Sequence, residues 1–172
     1  MLFSWETEGY SMIEIRTGTI DDADKLAAIE AECFPPAEAA TKDILKNRLI
    51  CYGNHFWLLF KDGVLVSFVD GMVTNHPDLQ DEMYEKADMH DENGNWQMIF
   101  GVNTVPAERE RGYAGKLLRQ AIADARVQGR KGVVLTCKTE LIPYYRQFGF
   151  EEEGKSKSIH GNVTWYQMRL TF

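Results

Sequence analysis

The segment from Val105 to Lys116, VPAERERGYAGK, combines a strand end, charged turn residues and small residues at the start of a predicted helix. Its small residues Gly112, Ala114 and Gly115 let backbone N–H groups approach an anion closely. Because the first N–H groups of a helix lack intrahelical acceptors and carry a partial positive charge, this turn is suited to binding a diphosphate. The same composition is also typical of a solvated turn without a ligand, and the pattern by itself leaves both interpretations open.

The charges around this segment favour an anionic ligand. Residues 105–131 contain seven lysines and arginines and three acids, a local charge of +4 in a chain whose net charge is −7. The spacing excludes a P-loop, since Gly-x-x-x-x-Gly-Lys-Ser/Thr is absent, and it does not fit the dinucleotide fingerprint Gly-x-Gly-x-x-Gly. The overall excess of acid, without a long basic run, argues against nucleic acid as a partner.

Composition indicates one domain in a reducing compartment. With 172 residues, 44% of them hydrophobic, the chain can build a full core without disulfides or metals. Three cysteines without a Cys-x-x-Cys pair are typical of unlinked thiols, and the four histidines are scattered, so we expect no metal. No segment approaches the roughly 20 apolar residues of a membrane span, and we expect a cytoplasmic protein that binds no membrane.

The order of predicted elements is typical of an α/β domain with a mixed sheet. We expect a single domain over residues 12–172, preceded by an extension, residues 1–11, that is disordered or precedes an alternative start. Residues 78–92 hold seven acids and one lysine and are predicted to form a surface helix or a partly ordered excursion. The other predicted elements are strands at 12–17, 98–105, 132–137, 149–154 and 162–170, a hairpin around Lys61–Gly63, and helices after Thr19, Thr41, Gly112 and Thr139.

Two motifs in the second half of the chain resemble a known family. Arg109-x-x-Gly112-x-Ala114 is similar to the Arg/Gln-x-x-Gly-x-Gly/Ala motif with which the GNAT N-acetyltransferase superfamily binds acetyl-coenzyme A. Downstream, LTCKTELIPYYRQFGF and HGNVTWYQM look like the C-terminal half of the serotonin (arylalkylamine) N-acetyltransferases and their bacterial relatives. The resemblance implies a GNAT fold, a mixed and mostly antiparallel central sheet of about seven strands flanked by helices, with acetyl-CoA as co-substrate.

The resemblance also implies where the co-substrate binds. In this superfamily the strand equivalent to Val102, Asn103 and Thr104 pairs through its backbone with the pantetheine arm, although a plain core strand would have the same sequence. The backbone amides of the following turn hold the diphosphate, and here that turn comprises Arg109, Glu110, Arg111, Gly112, Tyr113, Ala114 and Gly115.

Catalytic and acceptor residues follow from the same comparison. Tyr145 matches the family tyrosine that protonates the departing thiolate, which a phenol of pKa ~10 does only within hydrogen-bond reach. Tyr144 is expected to point into the packing. Phe34 matches an aromatic residue of the acceptor pocket. Met98, Phe100 and His160 are expected to line the same pocket, and for Met98 and Phe100 an ordinary core role is an equal alternative.

The general base is where the sequence departs from the family. Serotonin N-acetyltransferases carry two histidines at the positions of Met98 and Phe100, and neither of these side chains accepts a proton. An alkylamine of pKa ~10 is about three units from neutral at pH 7, so deprotonation costs ~4 kcal/mol. Candidates for the proton acceptor are Glu30, Glu32, Asp70, His76 and His160.

The sequence thus predicts an acetyl-CoA-dependent N-acetyltransferase that transfers acetyl directly to a small primary amine, an arylalkylamine or a polyamine-like compound. Two alternatives stay open: a peptide or protein acceptor, and a coenzyme A-binding sensor without catalysis. The expected partner is the small-molecule amine, and a homodimer is an open alternative to a monomer.

Overall fold

The computed structural model describes residues 4–8 and 11–172. The strands are β1 (Ser4–Glu8), β2 (Ser11–Thr17), β3 (Phe56–Lys61), β4 (Val64–Asp70), β5 (Val73–Thr74), β6 (Trp96–Ile99), β7 (Gly101–Thr104), β8 (Gly132–Cys137), β9 (Glu151–Lys155) and β10 (Tyr166–Thr171). The α-helices are α1 (Ala23–Cys33), α2 (Lys42–Tyr52), α3 (Tyr113–Val127) and α4 (Ile142–Arg146).

The strands form two five-stranded sheets that meet at one interrupted strand. One sheet has the order β1-β2-β3-β4-β7 and is antiparallel, and the other has the order β5-β6-β8-β10-β9, in which only β6 and β8 run parallel. The predicted α/β class and the mostly antiparallel sheet with flanking helices are confirmed. Ten strands are described rather than seven because β4–β5 and β6–β7 are each one long strand with a break and because β1 adds a strand.

The break in the sheet comes from a bulge at Phe100. On one side of it the Met98 N–H donates to the Met72 C=O, and on the other side Asp70 pairs with Gly101, so the register shifts by one residue across Phe100. A Cβ on Gly71 would lie 1.8 Å from the Met98 carbonyl oxygen, so only glycine fits this close approach. Beyond the bulge, β7 pairs with β4 and β6 pairs with β8, which leaves a cleft between β7 and β8.

Helices cover both faces of the sheet. Alternate residues of β3 divide between two cores: Trp57 and Leu59 pack with α3, whereas Leu58 and Phe60 pack with α1 and α2. The helix predicted after Thr19 is confirmed, and it is entered through the 3-10 turn Ile20–Asp22, where a capping box forms as the Thr19 N–H donates to the Asp22 carboxylate at 2.8 Å. The helix after Thr41 is confirmed as well, with the Thr41 hydroxyl accepting from the Ile44 N–H.

The acidic segment between β5 and β6 contains two 3-10 helices, Asp81–Tyr84 and Ala87–Met89, rather than one surface helix. Its apolar stripe of Leu79, Met83 and Ala87 is nevertheless buried against α2. These three side chains therefore fix the excursion to the body of the domain.

Part of the segment predicted as an N-terminal extension lies in the sheet. Ser4–Glu8 pairs antiparallel with Ser11–Thr17, from Ser4 opposite Ile15 to Glu8 opposite Ser11. Residues 1–3 and 9–10 lie outside the described residues, and the domain limit at residue 12 stays a prediction. Within the described chain, no helix has the length and apolar character that crossing a membrane requires.

Candidate active site

A cavity of about 340 Å³ opens at the cleft between β7 and β8. Its floor comes from the two strands, and its walls come from the end of α1, the α1–α2 connection, the acidic segment, α4 and the loop before β10. Most lining residues are apolar or aromatic, and they are joined by three glutamates and one arginine: Glu30, Glu38, Glu85 and Arg48. Such a mixture is typical of a small-molecule site.

Five residues predicted from the sequence meet in this cavity: Phe34, Phe100, Val102, Tyr145 and His160. Phe100 and Val102 come from one interrupted strand and the other three from separate segments, and only the fold brings them together. Met98 takes the other role expected for it, that of an ordinary core residue. Its side chain is fully buried in the core with α1 and α2 and is not among the residues that line the cavity, because it lies on the far side of the bulge from β7.

Tyr145 is held in the cavity wall by aromatic neighbours. The Tyr144 and Phe150 rings pack edge-on against it, with centroids 5.1 and 6.1 Å away. Burial raises the pKa of Tyr145 above its ordinary value, so the phenol keeps its proton at neutral pH. Tyr144, predicted to point into the packing, is half-buried and contacts Phe148.

Glu30 is the buried carboxylate of the cavity wall. One oxygen, Oε1, accepts the Ala40 N–H at 3.1 Å, and the other, Oε2, has no hydrogen-bond partner. Burial, and then the nearby Asp70 carboxylate, raise the pKa of Glu30 to about 7. The carboxyl group therefore exchanges its proton near physiological pH.

A buried ion pair between Arg48 and Asp70 lies behind Glu30, next to Gly101, which has no side chain to cover it. The Arg48 guanidinium donates to Asp70 Oδ2 at 2.9 Å and to the Tyr84 carbonyl at 2.7 Å. A Cβ on Gly101 would lie 2.7 Å from Asn103 Nδ2, 2.9 Å from Asp70 Oδ1 and 3.6 Å from Glu30 Oε2. These three polar atoms are buried and unpaired, and they surround the one position of β7 that has no side chain.

The remaining candidates for the proton acceptor are less well placed. Glu32 and His76 are exposed and do not line the cavity, and Asp70 is paired with Arg48. His160 does line it, with its ring stacked 4.6 Å from that of Tyr84. Its Nε2 lies 2.9 Å from the Glu38 carbonyl oxygen, and since a carbonyl only accepts, Nε2 carries the proton and donates it there.

The turn before α3 has the shape expected for an anion site. Glu110 and Gly112 both have positive φ, 64° and 80°, and nothing lies within 4 Å of where a Gly112 Cβ would be. The Lys116 N–H makes the first bond of the helix, to the Gly112 C=O at 3.0 Å. The N–H groups of Tyr113, Ala114 and Gly115 come before this first donor, so they have no acceptor within the helix and remain for a ligand.

The backbone of β7 offers further donors and acceptors on the cleft side. The Val105 N–H donates to the Val66 C=O on β4, and neighbouring residues of a strand direct their backbone groups to opposite edges. Val102 and Thr104 therefore direct theirs away from β4. In agreement, the Thr104 carbonyl accepts from Cys33 Sγ and from Arg109 Nε rather than from β4. Asn103, predicted with them, instead has its side chain fully buried beside Gly101.

His55, His90 and Glu92 form a cluster that has the composition of a metal site but not its hydrogen bonding. The Val73 N–H donates to His90 Nδ1, so the His90 proton sits on Nε2 and points at Glu92, 2.8 Å away. A histidine that directs N–H at the centre of the cluster offers no lone pair to an ion. These hydrogen bonds instead fix the end of the acidic segment against the neighbouring strand β5.

Sequence reasoning missed Arg48, Tyr84 and Trp165. Arg48 carried a signal, because it falls on the inner stripe of α2 between Leu45 and Tyr52, and a buried arginine needs a carboxylate. Tyr84 and Trp165 reach the cavity by stacking near His160, a contact that no local pattern encodes.

Comparison with known proteins agrees with this geometry. Residues 86–152 match the family model described as "Acetyltransferase (GNAT) domain". Over this stretch, which is less than half of the chain, the sequence is similar to a GNAT acetyltransferase domain. The match spans β6, β7, the turn before α3, α3, β8 and α4, which are the elements that build the cleft.

Solved structures extend the likeness of the GNAT fold to nearly the whole chain. The loading GNATL domain of CurA from Lyngbya majuscula has a TM-score of 0.79 at 16% identity, over 92% of this chain and 97% of that one. A GNAT family acetyltransferase from Brucella melitensis in complex with acetyl-CoA has a TM-score of 0.60 at 19% identity, over 93% and 88%. The ribosomal-protein-S18-alanine N-acetyltransferase from Escherichia coli has a TM-score of 0.70 at 15% identity, over 93% and 94%. At these identities the three structures show that the chain has the GNAT fold.

Proposed function

We propose that this GNAT domain transfers the acetyl group of acetyl-CoA directly to a small primary amine with an arylalkyl or aliphatic stem. The observation that carries the proposal is the cavity, in which aromatic walls and carboxylates occur together. Phe34, Phe100 and Trp165 offer apolar surface to the stem of an amine, and Glu30 and Glu85 offer negative charge to its ammonium group.

The acidic segment supports a small acceptor rather than a long peptide. Tyr84 and Glu85 from this segment form part of the cavity wall. The segment is held there by Arg48, which donates to the Tyr84 carbonyl, and by Asp81, which accepts from Ser158 and from the Ile159 N–H. A peptide groove would need this side open.

The mechanism follows from the positions of the chain's own groups. Acetyl-CoA, when bound, supplies the thioester; the α3 turn would hold its diphosphate, and the cleft edge of β7 its pantetheine arm. The Val102 N–H faces the cleft and would polarise the acetyl carbonyl. The amine nitrogen then forms its bond to the carbonyl carbon, the carbon–sulfur bond breaks, and Tyr145 gives its proton to the leaving sulfur.

The test is release of free thiol from acetyl-CoA with a panel of tryptamine, phenethylamine, spermidine and peptides with free N-termini. We expect turnover with one or more of the small amines and none with the peptides. Turnover with peptides alone would assign a peptide acceptor. Tight coenzyme A binding without turnover on any acceptor would assign a sensor.

A further inference from the structure

We propose that Glu30 is the catalytic residue that removes the ammonium proton of the acceptor amine. This inference rests on the proposed function and names the general base that the sequence left open. The family histidines are replaced by Met98 and Phe100, and among the acids and histidines considered from the sequence only Glu30 and His160 line the cavity.

The first argument is position. Glu30 lies near the end of α1, and its Oε2 atom is 3.6 Å from where a Gly101 Cβ would be. Gly101 directly precedes Val102, the residue whose N–H faces the cleft. The Glu30 carboxylate therefore lies against the residue next to Val102, and an amine that attacks a carbonyl held by the Val102 N–H approaches beside it.

The second argument is the state of the two carboxylate oxygens. Oε1 is fixed by the Ala40 N–H, which orients the group, whereas Oε2 is buried without a hydrogen bond of normal geometry and has only the nearby Asn103 amide, which lowers the pKa of the carboxyl group, beside it. A buried carboxylate oxygen without a hydrogen bond is costly unless a ligand or water completes it. An ammonium group in the cavity would supply that missing donor and become the proton source.

The third argument is the surrounding charge. The charged and titratable groups that face Glu30 are Asp70 from β4, Arg48 from α2 and the Cys33 thiol from α1, and the Asn103 amide lies beside it on β7. Arg48 is engaged by Asp70 and does not form an ion pair with Glu30. Burial and Asp70 raise the pKa of Glu30 to about 7, close to the value that serves a general base at neutral pH.

Glu38 is the nearest competitor. It also lines the cavity, with its Oε2 atom buried and unpaired, but its Oε1 atom is 2.9 Å from the Lys138 ammonium. The charge of the Glu38 carboxylate is therefore already balanced by lysine and is less available to the ammonium group of a substrate. His160 donates its Nε2 proton to the Glu38 carbonyl and packs between the Tyr84 and Trp165 rings, so only its Nδ1 atom could accept a proton.

The protons balance as follows. The ammonium gives one proton to the Glu30 carboxylate and becomes a neutral amine, which attacks the thioester carbon. After attack the nitrogen gives its second proton to solvent, while the sulfur gains one from Tyr145, and Tyr145 takes one proton back from solvent. Glu30 returns its proton to solvent, so each turnover yields one amide, one free thiol and one proton.

The experiment compares the wild-type protein with Glu30→Gln and Glu30→Asp in thiol release across pH. We expect kcat/KM of the wild type to rise with pH up to about 7, and Glu30→Gln to lose this rise together with about 100-fold in rate at neutral pH. Glu30→Asp should keep the rise at a reduced rate. Acetyl-CoA affinity and the thermal unfolding temperature, measured alongside, report whether the variants are folded.

A second readout separates proton transfer from a structural role. An acceptor amine of low pKa, already neutral at the assay pH, needs no base, so Glu30→Gln should slow it far less than it slows an alkylamine. An equal loss with both amines would overturn the proposal, as would unchanged activity of Glu30→Gln or loss of the pH-dependent rise in Glu38→Gln instead. A wild-type protein that releases no thiol with any amine would contradict the proposed function as well, and this outcome is distinct from the other three.

Discussion

Tyr145 and Glu30 reach the cavity from different helices, and burial raises the pKa of both side chains. The effect on the protonation state differs between the two groups, because the ordinary pKa of a phenol is far above that of a carboxyl group. A phenol raised above its ordinary value of about 10 stays protonated and can only donate, whereas a carboxyl group raised to about 7 can accept and return a proton at neutral pH. One physical effect thus gives the cavity an acid and a base.

Replacing Tyr145 by phenylalanine should lower kcat by about 100-fold while the affinity for coenzyme A persists, since the ring packing is kept and only the proton donor is lost. Thiol release and titration of coenzyme A binding measure the two effects. Tyr144→Phe is the matched control, because Tyr144 packs against Phe148 and is not part of the cavity wall. Unchanged turnover of Tyr145→Phe would remove this residue from the mechanism.

Glu30 should also affect stability in a pH-dependent way. Its folded pKa is raised from about 4.5 to about 7, so its contribution to stability is fully present below about pH 4.5 and is lost as pH rises through 7. Chemical unfolding should therefore find that the wild type loses about 3 kcal/mol relative to Glu30→Gln between pH 4.5 and 8. Glu32→Gln, at an exposed position on the same helix, is the matched control for the substitution itself. A pH-independent difference for Glu30→Gln would contradict the raised pKa.

At the scale of elements, the sequence predicted those helices, strands and turns that are determined by residues close together in the chain. The hairpin at Lys61–Gly63, the strand Gly132–Cys137 and the caps at Thr19 and Thr41 follow from alternation, turn residues and capping, and all are present. The bulge at Phe100 depends on contact between two strands distant in sequence.

The missed bulge explains which site residues the sequence could predict. The motif before α3 and Tyr145 could be located because their spacing is local. For Met98 the sequence left a pocket role and a core role open, because alternation puts it on the same face as Phe100 and only the bulge separates the core part of this strand from the cavity part. The pairing of Arg48 with Asp70 likewise depends on the tertiary fold.

The bulge should therefore be sensitive to one glycine. Gly71→Ala would place a Cβ 1.8 Å from the Met98 carbonyl oxygen, and because backbone must move to relieve this contact, we expect a loss of at least about 3 kcal/mol in unfolding free energy. Gly115→Ala is the control, since its Cβ would meet Arg119 Nη1 at 3.3 Å and Phe148 at 3.5 Å on a helix that favours alanine. Denaturant titration of both variants measures the difference, and equal stabilities would argue against the bulge as described.

The acidic segment divides into structural and cavity carboxylates. Asp81 binds the Ser158 hydroxyl and the Ile159 N–H, and Glu82 pairs with Lys86, whereas Glu85 lines the cavity. We expect Glu85→Gln to raise KM for a cationic amine several-fold at low salt with little change in stability.

Asp81→Asn should mainly lower the unfolding temperature, because it weakens the two hydrogen bonds that Asp81 accepts from the loop before β10. Steady-state kinetics and thermal unfolding distinguish the two, and identical effects would show that the segment acts as one solvated face.

For the whole molecule, the net charge of −7 is unevenly distributed. Residues 78–92 contribute seven acids and one lysine, whereas residues 105–131 carry a net +4. Part of the basic charge serves the fold: Arg130 is buried and donates to the Glu92 and Gly94 carbonyls, and Arg126 lies 4.3 Å from the centre of the Phe172 ring. The charge available to an anionic co-substrate is therefore smaller than the sequence count.

This distribution predicts a dependence on ionic strength for both substrates. Raising salt from about 0.01 M to about 0.5 M shortens the Debye length from roughly 30 Å to well below 10 Å, which screens the basic side chains from acetyl-CoA and Glu85 from a cationic amine. We expect KM for both substrates to rise with salt, and KM for the amine to respond less in Glu85→Gln. Sucrose at matched osmolality is the control, because it changes solvation without screening charge. If KM for the amine responds equally to salt in the wild type and in Glu85→Gln, the carboxylates at the cavity mouth do not attract the acceptor.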